Sequence, residues 1–265
     1  MANETESGLM TTGGHLEILR KMLFRIIAVV ISLAIAIFCF KEETFSLLLA
    51  PKSPNFTTFS VIKSLLGYFN VDSHFENIEV SLISTELSSQ FTTHIYVSCL
   101  LATLFASPYI LFEIFRFVSP ALYESEKKYS VVVACVIYAL FFAGVLISYF
   151  VLFPISFRFL ATYQVDRSVV STITLDSYIS SFSTLVFFTG ILFQLPIIIY
   201  MLGKMGLVDA HQLKAIRPYA LIVIMIIAAI ITPPDIFTLC LVTLPVYGLY
   251  ELSIFVVNRW GAHES

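Results

Sequence analysis

Long apolar runs separated by polar stretches recur along this 265-residue chain, and they limit the folds that it can adopt. Hydrophobic residues make up 58% of the chain and charged residues only 12%, well below the roughly 25% that is usual in soluble domains. So few charged groups cannot cover a surface that faces water. The runs are continuous rather than alternating, which argues against a transmembrane β-barrel. The sequence therefore predicts an all-α, polytopic membrane protein.

The apolar runs predict six transmembrane helices in a single membrane domain, residues 1–265. The spans are expected at about residues 22–40, 91–116, 129–152, 178–202, 218–232 and 236–257. Prolines are expected to kink the second span at Pro108, to end the third at Pro154 and to interrupt the sixth at Pro245. The fifth span would cover roughly 22 Å at about 1.5 Å per residue, against a hydrocarbon core of about 30 Å. We therefore expect the fifth and sixth spans to be short and to form a shallow edge where the bilayer is thin.

Four polar segments complete this topology: the amino-terminal segment 1–21, a long connection 41–90, an acidic loop 117–128 and the tail 258–265. Ten basic residues fall on the side of both termini and five on the opposite side. The positive-inside rule therefore predicts that both termini, the acidic loop and the tail are cytoplasmic, whereas the 41–90 connection faces outward. Within that connection, residues 59–69 are compatible with a surface helix and residues 78–83 with an extended segment, and both interpretations stay open.

Polar residues near membrane level are candidates for function. Gln194 lies inside the fourth span, where a polar side chain is costly. It forms either a functional contact or a hydrogen bond that relieves the backbone freed by Pro196, and the sequence does not decide between them. Asp235 follows a double proline and is expected to cap the sixth helix, as Asp176 and Ser177 are expected to cap the fourth.

The stretch 112–128 is unusually acidic for a chain with so few charges. It contains three glutamates, Glu113, Glu124 and Glu126. It also contains three basic residues, Arg116, Lys127 and Lys128. Either the glutamates pair with these basic residues in a solvated loop, or they bind a cationic ligand. In the amino-terminal segment, Glu17 and Arg20 are spaced as an i,i+3 ion pair.

The sequence contains no motif of a catalytic or metal site. The five histidines are scattered, and no His-Glu-x-x-His pair, glycine-rich phosphate loop or cysteine cluster is present. We therefore expect no enzymatic activity, no cofactor, no metal and no nucleic-acid partner. The two halves of the chain do not visibly repeat each other, and no span is rich in ionisable groups. Both observations weaken the alternative of a small solute transporter.

Several short motifs, in order along the chain, resemble the TatC family, the receptor subunit of the twin-arginine protein translocase. They are His15-Leu16-x-x-Leu19-Arg20, Ser107-Pro108-Tyr109-Ile110-Leu111, Phe117-Val118-x-Pro120-Ala121-Leu122-Tyr123-x-x-Glu126, Phe193-Gln194-Leu195-Pro196, Arg217-Pro218-Tyr219, Thr232-Pro233-Pro234-Asp235, and Pro245 with Tyr250-Glu251. Each fragment alone is a weak signal. Their order and spacing on a six-span frame make the resemblance strong.

This resemblance implies a receptor for signal peptides that carry two consecutive arginines. It implies export of folded proteins across the cytoplasmic (inner) membrane, driven by the proton-motive force. The implied partners are small single-span proteins of the TatA and TatB type, other copies of the chain itself and the lipid bilayer. The family's loop glutamate maps onto Glu126, and the neighbouring aromatic residue maps onto Phe117. Carboxylates suit this task because arginine stays charged and presents a planar fork of donors.

The chain also departs from the family pattern. Ile18 stands directly before Leu-Arg, where the family usually has a glutamate, and Glu17 comes one position earlier, a rotation of about 100° on a helix. Glu124 or Glu17 is therefore expected to supply the second carboxylate of a clamp with Glu126, and Arg20 belongs to the same expected site.

The remaining expected contacts lie at or beyond membrane level. Gln194 stands where many relatives have a glutamate, so that the position is polar but uncharged. Gln194, Asp235 and Thr232 are the expected intramembrane and outer-face polar contacts. Thr238 and Leu239 replace the family's frequent Ser-Gln, so a polar contact with the small partner subunits is expected to be weaker here or to be made elsewhere.

Overall fold

The structure is a computed structural model that describes residues 12–68, 80–118, 130–164, 166 and 172–260. Helices account for most of these residues, which confirms the all-α prediction. The helices are α1 (Thr12–Cys39), α2 (Lys41–Leu49), α3 (Thr57–Tyr68), α4 (Ser89–Val118), α5 (Ser130–Ile147), α6 (Phe153–Thr162), α7 (Leu175–Leu192), α8 (Leu195–Lys204), α9 (Ala210–Ala215), α10 (Arg217–Ile231) and α11 (Ile236–Trp260). The two-residue strands β1 (Leu82–Ile83) and β2 (Ile173–Thr174) pair in parallel.

The predicted membrane spans are present as helices. In the part of the chain that the structure describes, five helical segments are long and apolar enough to cross a membrane: Glu17–Cys39, Ser89–Ile114, Ala134–Thr162, Leu175–Lys204 and Ile236–Arg259. A sixth, Arg217–Ile231, is apolar but shorter. Together they give the expected six-helix membrane protein.

The third span does not end at Pro154, which corrects the sequence-based prediction. The helix passes from α5 through a π-helical turn, Ser148–Leu152, into α6. Pro154 follows this π-helical turn directly, and the wider turn accommodates a residue that has no N–H group to donate. The third apolar segment therefore continues to Thr162.

The fourth span is divided. Helix α7 ends at Leu192, a turn at Phe193 and Gln194 follows, and α8 begins at Leu195 with Pro196 in its first turn. The prediction that Asp176 and Ser177 cap this span is wrong. Thr174 is the capping residue, because its side chain accepts a hydrogen bond from the backbone N–H of Ser177.

The last two spans differ in length. Helix α10 has 15 residues and carries proline in its first turn, as predicted. Helix α11 has 25 residues and continues through Pro245, so the prediction that the sixth span is also short is wrong. It extends to Trp260, and the tail expected at 258–265 therefore begins inside the helix.

By its internal contacts the chain divides into two units. The first, residues 1–40 and 98–138, contains α1, most of α4 and the first half of α5. Helix α1 is loosely packed: 6% of its most apolar window is buried, compared with 33–44% in the other four long segments. Met22 is one of its few buried side chains.

The second unit, residues 41–97 and 139–265, contains the 41–90 connection and the last spans. The 41–90 connection is partly helical, with α2 and α3 in it, and residues 82–83 form β1. Two tyrosines of the later spans anchor it: Tyr149 donates a hydrogen bond to the carbonyl of Leu47 at 2.7 Å, and Tyr178 to that of Leu48 at 3.0 Å. The end of α2 is thus packed against these later spans.

Two glycines allow close helix packing in the second unit. A Cβ atom on Gly144 would lie 2.8 Å from Cγ of Phe193 and 2.9 Å from the backbone oxygen of Thr189. A Cβ atom on Gly190 would lie 2.9 Å from a ring carbon of Phe141. Helices α5 and α7 therefore approach each other at a distance that larger residues would prevent.

Candidate functional site

The expected amino-terminal residues of the site lie exposed on α1. Glu17 forms an ion pair with Lys21 at 2.8 Å, so the pair with Arg20 expected from the i,i+3 spacing is not the one formed. Both partners are about two-thirds exposed, and solvent screening makes such a pair weak. The carboxylate of Glu17 is therefore accessible to another cation. The guanidinium of Arg20 lies over the ring of Phe24, 5.7 Å from its centroid.

Glu113 is not a solvated loop residue, which corrects the interpretation based on sequence. It lies on α4, and its side chain is buried. Its Oε1 atom is 3.1 Å from Nη1 of Arg25, and it accepts a hydrogen bond from the hydroxyl of Tyr109 at 3.1 Å. A buried carboxylate needs such compensation, because an unpaired charge in a low-dielectric interior is strongly destabilising.

Phe117 lies one helical turn after Glu113 on α4 and is half-buried. Residues four positions apart share a helix face, so Phe117 and Glu113 lie on the same side of α4. Residues 117 and 118 are the last two residues of this helix. Glu124, Glu126 and the rest of the acidic segment lie outside the described residues, and their roles stay predictions.

Gln194 lies in the turn between α7 and α8, not within a continuous helix. The backbone at this break is satisfied locally: the N–H of Gln194 donates to the carbonyl of Ile191 at 2.9 Å, and its own carbonyl accepts from Ile197 at 3.0 Å. The turn thus satisfies these two backbone groups near Pro196 locally. A contact made by the side chain with a partner remains a prediction.

Asp235 caps α11 as predicted. Its Oδ1 atom accepts a hydrogen bond from the N–H of Thr238 at 2.6 Å. Thr232 ends α10 and donates from its hydroxyl to the carbonyl of Ala228 at 2.9 Å. Among the described residues, Oδ2 of Asp235 and the hydroxyl of Thr238 are buried without a hydrogen-bond partner.

A cavity of about 160 Å³ lies beside this cap. Pro233 and Thr238 line it, together with side chains of α6 and α7 that include Ser156, Ser177 and Ser181. A space of this size with several hydroxyl groups is large enough for ordered water.

Two of the quoted motifs meet in space. Nη2 of Arg217 lies 2.6 Å from Oε2 of Glu251, and the hydroxyl of Tyr247 donates to the other carboxylate oxygen at 3.1 Å. No group of three or more His, Cys, Asp or Glu side chains that could hold a metal ion is found within the described ranges.

A family model described as Sec-independent protein translocase protein (TatC) matches residues 14–245. The chain belongs to the TatC family. The expected membership is thus confirmed, and with it the prediction that the chain is not an enzyme, because TatC proteins are components of a protein translocase.

Individual TatC proteins show the extent of the likeness. The chain is 31% identical to TatC of Escherichia coli (strain K12) over 241 residues, which cover 91% of this chain and 85% of that protein. It is 31% identical to TatC of Halothiobacillus neapolitanus over 254 residues, 95% of this chain but only 63% of that longer protein. A crystal structure described as the twin arginine translocase receptor TatC matches 92% of this chain with a TM-score of 0.72 and 31% identity, and is itself covered to 97%.

Sequence reasoning missed two residues of the first unit, Arg25 and Tyr109, which hold Glu113. Arg25 was counted only for orientation. Its position within the first apolar run was a usable signal, because an arginine at membrane level ordinarily has a specific partner. Tyr109 was quoted only as a member of the Ser107–Leu111 motif, and tyrosine is too common near membrane interfaces to point to Glu113.

Proposed function

We propose that this TatC-family chain is the receptor subunit of a twin-arginine translocase and that it binds Arg-Arg signal peptides at the cytoplasmic face. The observation that carries this proposal is the match to a solved twin arginine translocase receptor over almost the whole of both chains. The positive-inside pattern supports cytoplasmic termini and a cytoplasmic acidic segment in a cytoplasmic (inner) membrane.

The binding chemistry follows from the carboxylates. Glu126, together with Glu124 or Glu17, forms a clamp on the two guanidinium groups, each of which can donate two parallel hydrogen bonds to one carboxylate. The accessible carboxylate of Glu17 supports its part in this clamp, since its pair with Lys21 is weak enough to be exchanged. Phe117 supplies an apolar contact beside the clamp, and Arg20 lies three residues after Glu17 on the same helix.

Export requires more than recognition. After the clamp has formed, the apolar part of the signal enters the helix bundle, and the translocase moves the folded protein with energy from the proton-motive force. Single-span partners of the TatA and TatB type, and further copies of this chain, complete the assembly. Gln194, Asp235 and Thr232 serve as the intramembrane and outer-face polar contacts, and the buried unpartnered oxygen of Asp235 supports a polar role there.

Site-specific crosslinking tests the receptor role. A photoreactive residue is placed at position 17 or 126, and a signal peptide with Arg-Arg is compared with the same peptide carrying Lys-Lys. We expect crosslinks to the Arg-Arg peptide that fall strongly with Lys-Lys, and no crosslink from position 86, an exposed site on the expected outer side. Equal crosslinking of both peptides would contradict the proposal.

The alternative of a small solute transporter has less support, because the family is one of protein translocase components. It predicts that the purified chain moves a solute without partner subunits. A purely structural membrane anchor is a second alternative, and it predicts tolerance of simultaneous substitutions at Glu126 and Asp235. Transport assays and an export assay on the double variant separate these from the receptor.

A further inference from the structure

The ion pair between Arg25 and Glu113 joins the two helices that carry the expected binding residues. Arg25 lies two turns after Glu17 on α1, and Glu113 lies one turn before Phe117 on α4. Their side chains meet at 3.1 Å across 88 positions of sequence. An arginine from the chain itself is thus bound to a carboxylate beside the place where arginines of the signal peptide are expected.

The two partners differ in burial. The side chain of Glu113 is 7% exposed, whereas that of Arg25 is 51% exposed. The carboxylate therefore needs a cation at all times, because its charge is removed from water. The guanidinium of Arg25 can return to water at low cost, because half of its side chain is already exposed there. Arg25 can therefore be replaced by another cation more easily than Glu113 can be replaced by another anion.

The hydroxyl of Tyr109 helps to keep the carboxylate in place during such an exchange. It donates to the same Oε1 atom at 3.1 Å and comes from the same helix, one turn earlier. This contact does not depend on α1. Glu113 is therefore held in position on α4 whether or not Arg25 is bound to it.

Among the described residues, few side chains of α1 are buried. Only 6% of the most apolar window of this helix is buried, and within residues 17–39 Met22 is the buried side chain. An element with few buried contacts moves at a small free-energy cost. Within the described part of the chain, the ion pair with Glu113 is a contact that a withdrawal of Arg25 has to break.

We propose that Arg25 is a tethered competitor of the signal peptide: it occupies Glu113 in the resting protein, and an arginine of the signal peptide displaces it. This inference rests on the proposed receptor function and adds a third carboxylate to its site. The exchange replaces one guanidinium by another, so the buried carboxylate stays compensated throughout. A lysine of a Lys-Lys peptide is a compact point charge without the planar fork, and it replaces the guanidinium less well.

The size of the change in peptide affinity depends on how often Arg25 occupies Glu113. The apparent affinity of a ligand is its intrinsic affinity multiplied by the fraction of protein in which the site is free. A site that is occupied by Arg25 for about 90% of the time therefore binds about tenfold more weakly than a free one. Removing the competitor should therefore tighten binding of the Arg-Arg peptide by about tenfold, whereas removing the carboxylate should weaken it.

The test measures the affinity of a fluorescent signal peptide for the purified full-length protein in lipid nanodiscs. The variants are Arg25→Gln, which removes the competitor, and Glu113→Gln, which removes the carboxylate with little change in shape. We expect tighter binding for the first and weaker binding for the second. If the pair were only a structural tie between α1 and α4, both substitutions would weaken binding. That outcome, or unchanged affinity in Arg25→Gln, would overturn the proposal.

Two further variants serve as controls. Arg25→Lys keeps a cation beside the buried carboxylate, so it should fold normally and tighten binding by a smaller factor; unchanged or weaker binding would count against the competitor. Lys41→Gln changes the net charge equally at an exposed site at the start of α2 and should leave the affinity unchanged. If the wild-type protein bound Arg-Arg and Lys-Lys peptides equally, the proposed receptor function itself would be contradicted. If it discriminated between the peptides but neither Arg25 variant bound more tightly, only the role of Arg25 as a competitor would be rejected.

Discussion

Nη2 of Arg217 and Oε2 of Glu251 lie 2.6 Å apart, so the first residue of α10 is tied to α11 across 34 positions of sequence. The two residues belong to separate motifs of the family pattern, Arg217-Pro218-Tyr219 and Tyr250-Glu251. The hydroxyl of Tyr247 holds the second oxygen of the same carboxylate. The motifs therefore act together in fixing the short fifth helix against the sixth.

Replacing Glu251 by alanine should lower the free energy of unfolding by about 1 kcal/mol, because the pair is partly exposed and solvent screens part of its attraction. Thermal unfolding of the purified protein in detergent measures this. Glu42→Ala, which removes an exposed carboxylate from α2, is the control and should change stability less. Equal effects of the two substitutions would show that the ion pair contributes nothing specific.

Asp176 should contribute to stability by joining α7 to the beginning of α4. Its carboxylate accepts hydrogen bonds from the hydroxyls of Ser89 and Thr93, both of which are buried at the beginning of α4. Asp176→Ala leaves two buried hydroxyls without these acceptors, at about 1–3 kcal/mol for a buried unsatisfied group. We expect a clear fall in the unfolding midpoint, and a smaller one for Asp176→Asn. The triple variant Asp176→Ala, Ser89→Ala, Thr93→Ala should be more stable than Asp176→Ala alone, because it has no unpaired hydroxyls. A triple variant that is less stable than Asp176→Ala would contradict this explanation.

The close approach at Gly144 should not tolerate a methyl group. Gly144→Ala places a carbon within 2.9 Å of the backbone oxygen of Thr189, and a backbone atom cannot move aside by changing rotamer. Overpacking of this kind costs about 1–3 kcal/mol. Gly248→Ala is the matched control, since nothing lies within 4 Å of the added carbon there. Yields and unfolding midpoints in detergent should fall for the first variant and not for the second.

Structural features that depend on neighbouring residues in the sequence were predicted well. The apolar runs located the spans because a helix must satisfy its own backbone in lipid. Pro218 and Asp235 were assigned correctly to the starts of helices, since a first-turn proline and a capping carboxylate act within three or four residues.

Residues whose roles depend on distant parts of the chain were predicted poorly. Glu113 was grouped with the acidic loop, because no local feature of the sequence points to its partner, Arg25, which lies 88 residues away. Asp176 was taken for a helix cap, although two hydroxyls of another helix hold it. Pro154 did not end its helix, because a π-helical turn before it accommodates the proline, and the local sequence carries no signal for such a turn.

The short fifth helix should lie in locally thin membrane. Tyr219 and Ile230 are highly exposed and 11 positions apart, roughly 16 Å at about 1.5 Å per residue. In a hydrocarbon core of about 30 Å, at least one of these side chains would lie well below the membrane surface. We expect nitroxides at both positions to be accessible to a water-soluble relaxation agent, unlike a nitroxide at Ile31 of α1. Shielding of positions 218–232 across a normal bilayer thickness would contradict this expectation.

The proposed recognition of paired arginines by carboxylates of this chain depends most on Glu126. The direct measurement is the equilibrium affinity of Arg-Arg and Lys-Lys signal peptides for the purified wild-type protein and for Glu126→Arg, with Glu86→Arg as the charge-matched control on the expected outer side. We expect the wild type and the control to prefer Arg-Arg by about tenfold or more, a difference of about 1.4 kcal/mol, and Glu126→Arg to lose this preference. An Arg-Arg preference that survives the charge reversal at Glu126 would contradict recognition by this carboxylate.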